Sequence, residues 1–154
     1  SIYLGSDGRG HDLLQCEGWP LQNPMHRREL FKKATEGVFP KMTMKGKEVF
    51  QFALKRVPYC IQKVLEEGDY GVEEMDHIIL HQANDRILES VAKKMKIPQE
   101  KFYSNIHRYG NTSAASIPIA LDEMREQNIL QKGEKLILVG FGGGLTWGAI
   151  LLTW

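Results

Sequence analysis

Residues 77–96 read HIILHQANDRILESVAKKMK. The opening residues form an apolar run short enough for a buried strand. Ile87, Val91 and Met95 then recur at a four-residue spacing, which predicts an amphipathic helix over 84–96. A strand that passes directly into a helix is typical of α/β proteins, whose ligands gather where strands end.

The alternation of strand and helix patterns continues on both sides of this stretch. Further helices are predicted over 45–67 and 113–127, and further strands over 2–4, 102–104, 135–141 and 147–154. Pro58 should kink the helix in which it lies, and Gly68 should end it. The last two strands are joined by a run of glycines and form a hairpin. The expected fold is an α/β layered domain with a mixed sheet.

The chain is expected to form a single unit over 1–154, with a connecting segment over 1–40 and a core over 41–154. Residues 5–24 are rich in Gly, Asp, Gln and Asn, which predicts an irregular segment. The basic stretch 27–33 is interpreted as a solvated surface. Because the sequence starts without Met on an apolar alternation, we predict that it was cut from a longer protein.

Composition excludes several classes of protein. Twenty Lys and Arg against nineteen Asp and Glu leave a net charge of +1, so the overall charge does not indicate a nucleic-acid partner. No apolar run approaches the roughly 18 residues that span a bilayer, which predicts no membrane partner. Two cysteines suit a reducing compartment, and a cytoplasmic location is expected. The histidines show no zinc-ligand spacing, so no metal site is predicted.

Three segments lie where extended stretches of the chain end, and each contains candidate functional residues: 81–87, 109–116 and 141–147. His81 could exchange a proton or donate to a developing oxyanion, or it could be a buried histidine bonded to a carbonyl. Asn111 could cap the next helix, or its NH₂ could point at the same oxyanion. Phe141 could line an acyl pocket or belong to the core. The glycines 142–144 could form a flexible turn or let the backbone approach a substrate.

The helix over 84–96 and the two cysteines allow simpler interpretations. Arg86 and Lys93 are seven residues apart and share a helix face, which could be plain solvated surface or a docking patch for an acidic partner or a phosphate. Cys60 lies on an apolar helix stripe, which favours a core role. Cys16 has the acidic neighbour Glu17, which does not favour a reactive thiolate.

These segments closely resemble the signatures of the β-ketoacyl-acyl-carrier-protein synthase III family of thiolase-fold condensing enzymes. The matching motifs are His-Gln-Ala-Asn-x-Arg-Ile at 81–87, Gly-Asn-Thr-Ser-Ala-Ala-Ser at 110–116, Phe-Gly-Gly-Gly-x-Thr-Trp-Gly at 141–148 and Met-x-Gly-x-Glu-Val-Phe at 44–50. The resemblance implies one half-unit of a thiolase-like layered fold, with a mixed five-stranded sheet packed by helices. A single histidine paired with an asparagine looks like the chain-initiating type of condensing enzyme.

The resemblance also implies roles for particular residues. His81 and Asn111 match two members of a Cys-His-Asn triad whose cysteine lies in the family's N-terminal half. Gly143 would offer an oxyanion N–H, Phe141 would lie beside the triad, and Asn84 and Gly46 would lie along the pantetheine tunnel. The implied carrier-protein docking residues are Gln82, Ala83, Asn84, Asp85, Arg86, Lys93 and Lys94.

The implied function is that of the C-terminal half of an acyltransferase. The enzyme would condense an acyl-CoA, expected to be acetyl-CoA, with malonyl-acyl-carrier protein, releasing CO₂ to start fatty-acid synthesis. Its partners would be an N-terminal half that carries the cysteine, acyl-carrier protein and a coenzyme A thioester, within a homodimer and without a cofactor. Two alternatives stay open: a related condensing enzyme of secondary metabolism, or a non-catalytic half-protein that only binds the carrier.

Overall fold

The computed structural model describes residues 1–17 and 41–154. Its strands are β1 (Ile2–Ser6), β2 (Leu14–Glu17), β3 (Lys41–Met44), β4 (His77–Leu80), β5 (Phe102–Tyr103), β6 (Lys135–Gly142) and β7 (Thr146–Thr153). Its α-helices are α1 (Gly46–Gly68), α2 (Asp85–Met95), α3 (Ile106–Tyr109) and α4 (Ser116–Glu126), and short 3₁₀ helices cover Gly8–Leu13, Val72–Glu74, Gln99–Lys101 and Ser113–Ala115. The basic stretch 27–33 and much of the predicted connecting segment lie outside the described residues.

Five strands form one mixed sheet in the order β1-β7-β6-β4-β5. β4 is parallel to both β5 and β6, whereas β7 is antiparallel to β6 and to β1. The hairpin of β6 and β7 pairs Lys135 with Thr153 and Gly142 with Thr146. The prediction of a mixed five-stranded sheet that ends in a hairpin is confirmed.

Helices cover both faces of this sheet. Along β4, Ile78 and Leu80 pack into a cluster with α1 and α2, whereas Ile79 packs into a second cluster with α4. Because neighbouring side chains of a strand point to opposite faces, β4 is buried on both sides, which explains its continuous apolar run. The chain leaves β4 at His81, between the two helical layers.

The long helix α1 continues through Pro58, where we expected a kink. Proline has no N–H to donate to the carbonyl four residues earlier, which here belongs to Leu54. The Lys94 ammonium on α2 donates to that carbonyl over 2.9 Å. The left-handed residue that ends α1 is Asp69, at a φ of 56°, rather than Gly68, which is the last helical residue.

Two further expectations were wrong in part. Within the described part of 5–24, the chain forms the 3₁₀ helix Gly8–Leu13 and the strand β2, because β3 supplies a pairing partner from distant sequence. The helix expected over 113–127 begins as an α-helix only at Ser116. Ser113 adopts a left-handed φ of 54°, which a continuous α-helix does not accommodate.

Candidate functional site

His81 lies immediately after β4 and is held by both its backbone and its ring. Its backbone N–H donates to the Val139 carbonyl over 2.8 Å, so the pairing of β4 with β6 continues for one more residue. Its ring Nδ1 lies 2.7 Å from Ser116 Oγ, and its ring centroid lies 5.2 Å from that of Phe141 in an edge-on arrangement. Burial lowers the pKa of His81, so the imidazole is neutral at neutral pH.

The partner of His81 Nδ1 is a serine hydroxyl, not the backbone carbonyl of the alternative interpretation. The other ring nitrogen, Nε2, does not take part in this contact. A neutral histidine held through Nδ1 can therefore present Nε2 to a reacting group.

Asn111 is exposed and begins the turn that leads into α4. Its Oδ1 accepts a hydrogen bond of 2.9 Å from the Ser113 N–H, which supports the short 3₁₀ helix rather than the α-helix itself. This bond uses the amide oxygen and not Nδ2. The predicted cap of the following α-helix is therefore not formed by Asn111, because the N-cap of α4 is Ala115 and has no side-chain hydrogen bond. The observed support of the turn and the predicted donation to an oxyanion need different atoms of the Asn111 side chain.

A small cavity of about 10 Å³ lies at the end of β4, with room for about one water molecule. His81, Gln82, Asn84 and Asp85 line it together with apolar residues, and Ile106 closes it from α3. Asn111 does not belong to its lining. His81 contacts Ser116, which lies five residues after Asn111 along the chain.

The glycine turn between β6 and β7 brings Phe141 to His81. Phe141 is partly buried against the α1 layer, whereas Gly143 is exposed. A Cβ at Gly143 would lie 3.1 Å from the Leu14 carbonyl oxygen, so the close approach of that backbone favours glycine there. The Gly143 carbonyl accepts a bond from Thr146 Oγ1. A packing reason therefore accounts for this glycine independently of any catalytic role.

The residues predicted to dock a carrier protein differ in exposure. Arg86 and Lys93 are exposed on α2, and the exposed Asn84 caps that helix by accepting from the Arg86 N–H. Asp85 accepts a bond from Ser104, and Ala83 is partly buried against the core. The Lys94 ammonium bonds to Leu54 on α1, as described above.

Gln82 is only 4% exposed and belongs to a buried polar network. Its Nε2 donates to the Leu80 carbonyl, and its Oε1 accepts from the Asn105 N–H. The Asn105 side chain donates to the buried carboxylate of Glu123, which is ion-paired with Arg108. This network joins the end of β4 to α3 and α4, the elements on either side of Asn111.

Sequence reasoning missed Ser116, Asn105 and Glu123. Ser116 is the last residue of the motif at 110–116, and its hydroxyl beside two alanines was the available signal. Glu123 lies three residues after Ala120 on the buried side of α4. An acidic residue on an apolar helix stripe indicates a buried polar partner, because an unpaired buried charge is costly.

The remaining candidates lie apart from His81. Gly46 is exposed at the start of α1 and does not belong to the cavity lining. Burial raises the pKa of Cys60 to about 11, which agrees with a core thiol, and Cys16 is exposed on β2. Over residues 1–17 and 41–154, no group of His, Cys, Asp and Glu could hold a metal ion. None of the described helices has both the length and the apolar character needed to cross a membrane.

Solved structures of known proteins share this fold over the whole chain. Solved structures confirm the thiolase-like layered class: 3-oxoacyl-(acyl carrier protein) synthase III from Pseudomonas aeruginosa PAO1 covers 100% of this chain with 37% identity and a TM-score of 0.83, over 43% of its own length. Residues 65–154 match the family model described as 3-oxoacyl-[acyl-carrier-protein (ACP)] synthase III C terminal. The chain belongs to the 3-oxoacyl-[acyl-carrier-protein] synthase III family, in its C-terminal part.

Two other relatives bear on the function. The beta-ketoacyl-[acyl-carrier-protein] synthase III of Clostridium novyi (strain NT) is 54% identical over 154 residues, which are all of this chain and 46% of that protein. The priming β-ketosynthase of the R1128 polyketide biosynthetic pathway is 28% identical, with a TM-score of 0.79, over 99% of this chain and 43% of its own. The chain thus spans about half the length of the curated relatives that it matches.

Proposed function

We propose that this chain is the C-terminal half of an acyltransferase that condenses acetyl-CoA, or a similar acyl-CoA, with malonyl-acyl-carrier protein. The reaction would start fatty-acid synthesis. The observation that carries the proposal is His81, neutral through burial and packed edge-on to Phe141 where β4 ends. The catalytic cysteine would come from the N-terminal half that the longer relatives contain. Cys60 is too deeply buried for that role.

The proposed role of His81 and Asn111 is to stabilise an enolate. The cysteine first takes the acyl group from its coenzyme A thioester. Malonyl-carrier protein then loses CO₂, and the electron pair of the broken C–C bond places negative charge on the thioester oxygen. His81 Nε2–H and Asn111 Nδ2–H are neutral donors suited to that oxygen. Loss of one such donor typically costs about 10²–10³ in rate.

Carbon–carbon bond formation follows from the same arrangement. The enolate carbon attacks the acyl-cysteine carbonyl, whose oxygen becomes negatively charged until the cysteine thiolate leaves. In this proposal the Gly143 N–H, on the exposed turn after β6, joins the cysteine's own N–H in stabilising that oxygen. Phe141 lines the acyl side of the site, and Asn84 and Gly46 lie along the path of the pantetheine arm.

The structure supports a narrower docking surface for the carrier than the motifs imply. Arg86 and Lys93 are exposed on α2 and can attract an acidic carrier. The Gln82 side chain is buried, and the Lys94 ammonium is bound to α1. We therefore assign docking to Arg86 and Lys93, with Asn84 beside them. A homodimeric complete enzyme in the cytoplasm, active without a cofactor, completes the proposal.

A condensing enzyme of secondary metabolism is the second candidate. This candidate is supported by the similarity to the priming β-ketosynthase, which is 28% identical to this chain. The Clostridium novyi relative is 54% identical, which favours the first candidate. The two candidates share His81 and Asn111 and differ in the acyl group that they accept. Rates with a series of acyl-CoA thioesters would separate them, and fastest transfer from acetyl-CoA supports fatty-acid initiation.

The experiment that tests the proposal compares two half-reactions in the complete enzyme. His81→Ala should reduce malonyl-carrier decarboxylation by about 10²–10³ and leave acyl transfer to the cysteine much less affected. His107→Ala is the matched control, because His107 is an exposed histidine on α3 that does not line the cavity beside His81. Equal loss of both half-reactions in His81→Ala would contradict the proposed role.

A further inference from the structure

Ser116 is the first residue of α4 and is 2% exposed. Its Oγ lies 2.7 Å from His81 Nδ1 and 3.2 Å from the backbone N of Gln82. One buried hydroxyl therefore contacts both the histidine ring and the backbone immediately after it.

The hydrogens of this contact can be assigned by their chemistry. The Gln82 backbone N–H is always a donor, so it occupies one lone pair of Ser116 Oγ. If His81 Nδ1 were also protonated, Oγ would accept twice, and its own hydrogen would need another acceptor. The polar contacts that the described residues offer to Oγ are these two. Among these contacts His81 Nδ1 is the acceptor within reach of the hydroxyl hydrogen, and it can accept that hydrogen only when it is unprotonated.

We propose that Ser116 is a positioning residue that holds His81 as the neutral tautomer with its hydrogen on Nε2. The catalytic consequence rests on the proposed function, because an Nε2–H is the donor that an enolate oxygen needs. Since Ser116 lies five residues after Asn111, the segment that carries one donor also sets the tautomer of the other. Protonation of Nδ1 would turn the serine hydrogen away from its acceptor in a buried place, which costs free energy.

Histidine-selective ¹⁵N labelling of the complete enzyme tests the tautomer directly. His81 is assigned by the loss of its signals in His81→Ala, and long-range ¹H–¹⁵N spectra distinguish a protonated ring nitrogen from a bare one. We expect wild-type His81 to show a bare Nδ1 and a protonated Nε2. Ser116→Ala should show a mixture of tautomers. Ser116→Cys, which keeps the shape but has only a weak S–H donor, should lie between the two.

Kinetics supply the second measurement. Ser116→Ala should slow malonyl-carrier decarboxylation about ten-fold or more, because a catalytic histidine that loses the partner setting its tautomer becomes much less effective. Acyl transfer to the cysteine should change much less. Ala120→Gly is the control for a merely structural effect, because it weakens the same helix at a buried position away from His81. It should lower the melting temperature without altering the His81 spectrum.

Two results would overturn the inference: a wild-type spectrum with Nδ1 protonated, or a His81 tautomer that is unchanged in a folded Ser116→Ala variant. The spectra could show the predicted tautomer and its dependence on Ser116 while the enzyme fails to decarboxylate malonyl-carrier protein. That result would support the role of Ser116 and overturn the proposed function. The spectra and the rates thus separate the two claims.

Discussion

Among single residues, the charge state of His81 controls the proposed chemistry. Burial lowers its pKa, so the folded protein keeps it neutral below the ordinary histidine value of about 6.5. As pH falls, the unfolded chain takes up this proton before the folded chain does. His81 therefore lowers the free energy of unfolding as pH falls below about 6.5. This decrease levels off only below the pKa of His81 in the folded protein.

We predict from this that decarboxylation retains its rate as pH falls to about 6.5 and declines only below it. The measurement is the pH profile of malonyl-carrier decarboxylation. Within the described chain, Asp85 is the charged residue that shares the cavity lining with His81, so Asp85→Asn checks its influence on the profile. If the decarboxylation rate fell on acidification with a midpoint above pH 7, a neutral, buried His81 would be contradicted.

Asn111→Asp separates the two functions of that side chain. Aspartate keeps an oxygen that can accept from the Ser113 N–H, so the melting temperature should change little. It loses the NH₂ donor and adds negative charge beside the developing enolate, so decarboxylation should fall by about 10²–10³ or more. Rates and thermal unfolding measure the two effects. A variant that unfolds normally and is fully active would show that Asn111 serves only the turn.

At the element scale, α2 carries two adjacent lysines with different roles. Lys94 occupies the Leu54 carbonyl that Pro58 leaves without a helical donor, so Lys94→Met should lower the free energy of unfolding by about 1 kcal/mol. Lys93 is exposed, so Lys93→Met should change stability by less than about 0.5 kcal/mol. It should raise KM for malonyl-carrier protein up to about five-fold, since an exposed ion pair contributes about 0.2–1 kcal/mol.

Urea unfolding and steady-state kinetics at low salt measure these differences between the two variants. The increase in KM for Lys93→Met should shrink at high salt, because exposed charges are screened. An unchanged KM at low salt would show that Lys93 belongs to plain solvated surface and does not contribute to docking. Equal stability of the two variants would contradict the role given to Lys94.

For the molecule as a whole, the described residues leave an apolar patch exposed on one side of the sheet. Ile2 and Leu4 on β1 are 61% and 76% exposed, and Ile150 on β7 pairs with Ile2. Tyr3 packs toward α1, so the alternation of β1 directs Ile2 and Leu4 to the face that carries α4. Exposed apolar patches of this kind often mark an interface. We infer that the N-terminal half packs here.

Leu4→Lys should therefore weaken association with a separately produced N-terminal half about ten-fold or more, since burying a leucine contributes about 1.5–3 kcal/mol. Leu4→Met, which conserves volume and apolar character, is the control and should associate almost normally. Co-elution of the two halves and their titration measure the effect. Equal association of both variants would place the interface elsewhere.

Local pattern was sufficient to predict much of this protein. Strand β4 and helix α2 appear where the apolar run and the four-residue spacing placed them, because burial on both faces or on one stripe imposes those periods. The motifs around His81 and Asn111 also indicated the correct family. The end of α1 and the start of α4 were less predictable, because left-handed turns fell on Asp69 and Ser113, which are not glycines.

The strand–helix order, the mixed sheet and the residue types available for catalysis follow from sequence patterns alone, since periodicity and motifs act over a few neighbouring residues. The partners that those residues meet depend on the folded chain. Strand β2 exists because β3 pairs with it, α1 tolerates Pro58 with Lys94 at the Leu54 carbonyl, and His81 is oriented by Ser116 from 35 residues away. These contacts join parts of the chain that become neighbours only when the apolar faces of the sheet and helices are buried together.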